Sequence, residues 1–140
     1  MFYKPILVPL LAQVLLTFVV WAYMYFTRFR EMNRKNLDPQ QLSDRASMQA
    51  LLTSSATPAD NLKNLFELPV LFYVAILLSL VLLVQDALFV QLAWGFVILR
   101  AVHSLIHCTY NRVLHRFTAY IASTIVLLLM WFRLAMFVFS

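Results

Sequence analysis

Charge is scarce in this 140-residue chain. Only 12% of the residues are Asp, Glu, Lys or Arg, against roughly a quarter in an ordinary soluble domain. There is one glycine and one cysteine, Cys108. A single cysteine allows no internal disulfide and no paired-cysteine metal or redox motif. No internal repeat, low-complexity tract or linker interrupts the chain. Acidic residues are rarer than basic ones, which leaves a formal charge of +5.

What fills the chain is hydrocarbon, with 63% hydrophobic residues. A membrane-spanning helix needs about 20 mostly apolar residues, and four runs qualify: Pro5 to Phe26, Leu65 to Gln85, Ala87 to Cys108 and Phe117 to Phe139. The expectation is an all-α integral membrane four-helix bundle, a single domain over residues 1–140 with a polar loop at 27–64. The first run is too long for a signal-peptide core and leads straight into basic residues, so it reads as a retained helix.

The excess of positive charge has a topological reading. Arg28, Arg30, Arg34, Lys35, Arg45 and Lys63 lie between the first two spans, and Arg112 and Arg116 between the last two. The middle connection offers Asp86, and the N-terminus Lys4. The positive-inside rule then puts the first and third loops in the cytosol and both termini outside. A multi-pass protein, for which a bacterial inner membrane fits, accounts for the charge without nucleic acid.

The polar loop carries two helix starts, Asp38-Pro39-Gln40-Gln41 and Thr57-Pro58-Ala59-Asp60. The first predicts a short helix from Pro39 to Leu52. The second predicts a helix running unbroken into span two. On that helix Asp60, Asn61, Asn64 and Glu67 form a polar stripe. Pro69, just beyond, frees the carbonyl of Leu65. On span three Arg100, His103, His107 and Asn111 fall three, four and four residues apart, one helical face.

Measured from the shared turn at Asp86 at about 1.5 Å per residue, Glu67 lies roughly 28 Å and His103 roughly 26 Å along their helices. The two stripes are therefore level. Ionisable groups at membrane depth are costly unless paired or used, which predicts Glu67 facing Arg100 and His103. The histidine pair also has metal-ligand spacing, with Glu67 as a third ligand or as part of a proton relay.

Asn64-Leu65-Phe66-Glu67-Leu68-Pro69 at the start of span two, Arg100-Ala101-Val102-His103 late in span three, and basic residues before span four together resemble the MAPEG superfamily. These are the membrane-associated proteins in eicosanoid and glutathione metabolism. The resemblance implies a homotrimer that binds glutathione between protomers and acts as a transferase or peroxidase on lipophilic substrates. It implies that Asn64 and Glu67 contact the tripeptide, with His103 and His107 beside it. Arg116 or Arg112 would stabilise the thiolate, and Arg28 or Arg30 would join from a neighbouring subunit.

Two departures accompany the resemblance. Asp60 stands where catalytic members place an arginine, and His103 and His107 stand where tyrosines are usual. Lys63 is near Asp60 but is expected to point about 100° away from the stripe. A non-catalytic membrane binding or scaffold protein of the same fold, and a small metal or proton handling protein built on Glu67, His103 and His107, are the alternative readings.

Overall fold

The computed structural model describes residues 5–84 and 86–139; Lys4 and Gln85 lie outside them. Among the described residues six α-helices follow one another: α1 (Leu7–Lys35), α2 (Arg45–Leu51), α3 (Ala56–Asn64), α4 (Leu68–Val81), α5 (Ala87–Cys108) and α6 (Val113–Phe139). Four units are long and apolar enough to cross a membrane: α1, the α3–α4 segment Ala56–Val81, α5 and α6. The protein is an all-α, multi-pass membrane bundle.

Packing follows from which faces are apolar on the inside. The centre of the bundle is Phe72, Ala75 and Ile76 of α4, Phe89, Ala93, Phe96 and Val97 of α5, and Leu127, Met130 and Leu134 of α6, with Ile6 and Val84. Phe72 and Phe96 stack with ring centroids 4.6 Å apart. The outward faces are equally apolar: Leu11, Leu15, Phe18, Leu77, Ile98, Leu105, Ile125, Leu128 and Phe132 are all exposed. A surface of this kind is stable only against lipid or another apolar surface. Backbone groups stay satisfied inside the helices, as hydrocarbon requires.

The helix ends explain the loops. α1 continues past Phe26 to Lys35 and stops where Asn36 takes a left-handed φ of 49°. There the Leu37 N–H closes on the Met32 carbonyl at 3.1 Å, a Schellman-type end. Asp38 caps as the sequence suggests, accepting from Gln40 N–H while its own N–H donates to Gln41 Oε1. The helix expected over Pro39 to Leu52 is split, however. A 3₁₀ turn covers Pro39–Leu42 and α2 begins at Arg45. Asp44 causes the restart, since its carboxylate accepts from the Ser47 N–H and hydroxyl. Those two bonds hold its pKa below the usual aspartate value.

Glu31, a residue the sequence did not single out, ties this loop down. It is buried near the end of α1 and accepts from Thr53 N–H, Thr53 hydroxyl and Ser54 N–H at 3.1, 3.2 and 2.9 Å. Lys35 lies 2.8 Å from the same carboxylate and donates to the Leu51 carbonyl. At the opposite end of the bundle Arg133 pairs with Asp86, at 3.2 and 2.5 Å.

Candidate functional site

The helix expected to run unbroken into span two is interrupted. α3 ends at Asn64, Leu65 to Glu67 turn, and α4 starts at Leu68 with Pro69 in its first turn. Proline has no N–H to continue the preceding helix and is accommodated in the first turn of a new one. Besides the Leu65 carbonyl, which Pro69 leaves without an N–H donor, the break makes the Asn64 carbonyl available to a side chain. Arg100, fully buried on α5, donates Nη2 to it at 2.9 Å. The guanidinium also lies over the Tyr120 ring of α6, 5.5 Å from its centroid. Arg100 therefore holds the α3–α4 break against α5 and α6.

Glu67 does not neutralise Arg100 and His103 by contact. It is exposed, and no ion pair within 4.0 Å joins it to a cation among the described residues. It acts on Arg100 through space only. The polar stripe also divides. Asn61 is buried and turns to α5, accepting from the Ser104 hydroxyl at 3.2 Å and donating to Cys108 Sγ at 3.4 Å. Asp60, Asn64 and Glu67 face a cavity instead.

That cavity, of about 420 Å³, is lined by Asp60, Lys63, Asn64 and Glu67 on one side and by His103, His107, Val113, Arg116, Phe117 and Tyr120 on the other. Five residues singled out from sequence thus meet: Asn64, Glu67, His103, His107 and Arg116. Lys63, expected to point away, is at the rim, 2.7 Å from Asp60. Both partners of that pair are more than half exposed, so it contributes at most about 1 kcal/mol. A carboxylate on a ligand can compete for the ammonium.

Arg116 reaches the cavity because α6 starts at Val113, earlier than the expected Phe117. The connection is turned by Asn111, at a left-handed φ of 48°, with its N–H on the Ile106 carbonyl at 2.8 Å. The Asn111 Oδ1 then accepts from Arg116 Nη1 at 2.9 Å. The same Nη1 donates to His107 Nε2 at 2.8 Å. His103 Nδ1 donates to the Arg116 carbonyl at 2.9 Å. These bonds fix tautomers: the His103 proton is on Nδ1, and an acceptor Nε2 places the His107 proton on Nδ1. Arg116 is held by two neutral acceptors, with no carboxylate within 4.0 Å among the described residues.

The remaining expected residues lie elsewhere. Arg112 is exposed on the α5–α6 connection and does not line this cavity. Arg30 is exposed and lines none of the cavities described here. Arg28 lines a second cavity with Arg45, Met48, Ser55, Asp60 and Lys63. Metal binding by His103, His107 and Glu67 fails on geometry, because no group of three His, Cys, Asp or Glu is close enough to hold an ion among the described residues. One nitrogen of each histidine is already engaged by Arg116.

Chemically, the cavity presents a fixed cation at one end and carboxylates at the other, with an apolar wall of Val113 and Phe117. It suits a zwitterionic ligand that carries an ionisable acidic group. No match to this chain was found among curated proteins or among solved structures. The family model described as MAPEG family matches residues 6–136.

Proposed function

The chain belongs to the MAPEG family, and on that premise we propose that it is a glutathione-dependent transferase or peroxidase acting on lipophilic substrates. The observation that carries this reading is Arg116: a guanidinium fixed by His107 and Asn111, with no carboxylate partner among the described residues, on the wall of the cavity. A guanidinium in such a place lowers the pKa of a nearby thiol and raises the nucleophilic thiolate fraction at neutral pH.

The other lining residues fit the rest of the tripeptide. Glu67 is an exposed, unpaired carboxylate suited to accept from an ammonium group. Asn64 makes no side-chain hydrogen bond among the described residues, and its amide is free to donate or accept. Lys63 offers a cation to carboxylates in the region where Asp60 replaces the family's arginine. Glutathione, when bound, would supply the thiol. Val113 and Phe117 are exposed beside Arg116 and would guide a lipophilic electrophile or hydroperoxide from the bilayer. A homotrimer and a cytosol-facing cavity belong to the same proposal.

Calorimetry of glutathione with the detergent-purified protein tests it. Binding should be present in wild type and much weakened by Glu67→Gln. No heat at millimolar glutathione in a folded protein would sink the assignment and favour a non-catalytic relative of the same fold.

A further inference from the structure

The second cavity, of about 270 Å³, is built from three separate segments of chain. Arg28 comes from the end of α1, Arg45 is the first residue of α2, and Lys63 comes from α3. Its only carboxylate, Asp60, is already taken by Lys63. Neither Arg28 nor Arg45 has a carboxylate within 4.0 Å among the described residues. The Nε of Arg28 is buried without a hydrogen-bond partner. Two guanidiniums without a carboxylate partner among the described residues, and one ammonium for which a ligand anion can compete with Asp60, therefore line one space.

Position indicates which anion. Arg28 lies against the Tyr25 ring, 5.6 Å from its centroid, and Tyr25 packs on Trp21. Aromatic rings of this kind mark the headgroup level of a bilayer. The rest of the cavity wall is largely apolar, with Met48, Leu52, Ala56 and Ala59, while Ser55 and Gln49 add hydrogen-bonding groups. Cations above an apolar floor at headgroup depth match a phosphate that is attached to hydrocarbon. The geometry points to a binding site for the phosphate of an anionic phospholipid between α1, α2 and α3. Arg28 and Arg45 are its principal ligands.

This site is separate from the proposed glutathione cavity, although Asp60 and Lys63 line both. Asp60 and Lys63, an ion pair, are accordingly the residues through which lipid at one site would alter binding at the other.

The test is thermal unfolding of the full-length protein in detergent with added phosphatidylglycerol, with phosphatidylcholine at the same mole fraction, or with inorganic phosphate. Phosphatidylglycerol should raise Tm above phosphatidylcholine by mass action on the folded state. The double variant Arg28→Gln/Arg45→Gln should lose that gain, and the exposed single variant Arg45→Gln should weaken apparent affinity roughly tenfold. Arg30→Gln/Arg34→Gln, which removes equal charge from the C-terminal part of α1, should keep the gain, and so should Arg116→Ala.

If inorganic phosphate produces the same Arg28- and Arg45-dependent gain, the site stands and its source is a soluble phosphate. The proposal is overturned if wild type shows no preference, if the gain survives in Arg28→Gln/Arg45→Gln, if it disappears equally in Arg30→Gln/Arg34→Gln, or if it is lost in Arg116→Ala. Because the readout uses no glutathione, failure of the enzymatic reading leaves it unaffected.

Discussion

Arg116 Nη1 lies 2.8 Å from His107 Nε2 and 2.9 Å from Asn111 Oδ1, so one nitrogen of a cation rests on two neutral acceptors. The arrangement aims the guanidinium without cancelling its charge. A carboxylate in the place of either acceptor would hold the side chain as firmly and leave little field for a ligand.

The acceptor on His107 should therefore matter more than its ring. His107→Gln retains an acceptor and should keep most of any activity, whereas His107→Leu should reduce kcat/KM at least about tenfold, the cost of a lost hydrogen bond to a charged group. Steady-state kinetics on both variants checks this. Equal losses in the two would show that ring packing, and not the bond to Arg116, is what counts.

Glu67 separates binding from stability. It is exposed and makes no contact ion pair, so Glu67→Gln should change unfolding free energy by less than about 1 kcal/mol. Its effect should appear in ligand affinity. A larger loss of stability, measured in detergent denaturation, would mean that the carboxylate supports the Arg100 guanidinium after all.

Asn61 should behave in the opposite way. It is buried and bonds both Ser104 and Cys108, so Asn61→Ala should cost about 2 kcal/mol through an unpaired hydroxyl and lost packing. No direct effect on a ligand in the Arg116 cavity is expected. Affinity falling while the melting transition holds would place Asn61 at the site.

Much of this architecture was legible because lipid is a demanding solvent. The four apolar runs had to be helices, and Asn64, Glu67, His103 and His107 had to be level given the turn at Asp86. What escaped was tertiary. Pro69 signalled a disturbance, but the bond that Arg100 makes to the Asn64 carbonyl depended on a side chain arriving from another helix. Glu31 gave only the local signal of Lys35 four residues on, since its other partners are at Thr53 and Ser54, far along the chain. Arg116 and Arg112 could not be ranked until α6 was seen to begin at Val113 and Asn111 to turn the chain.

The Glu31 clamp is itself testable. Removing the carboxylate strands two backbone N–H groups, so Glu31→Ala should cost about 2–4 kcal/mol and open the loop at residues 36–52 to proteolysis. Unchanged cleavage would contradict the clamp.

Acid should loosen part of the same loop. The folded-state pKa of Asp44 is lowered by its bonds to Ser47. The capping contribution is therefore full above the unfolded-state pKa and is lost as pH falls through the lowered folded value. Protection of the α2 amides, exchange corrected for the intrinsic rate at each pH, should fall over that acidic window in wild type and lose this pH dependence in Asp44→Asn.

The most direct test of the central claim is the ultraviolet thiolate band of bound glutathione, followed against pH in wild type, Arg116→Ala and Arg112→Ala. Wild type and Arg112→Ala should show a thiolate band near neutral pH. In Arg116→Ala the thiolate fraction should fall roughly ten- to hundredfold at the same occupancy. A band that persists in Arg116→Ala at full occupancy would contradict the assignment of Arg116 as the group that holds the thiolate.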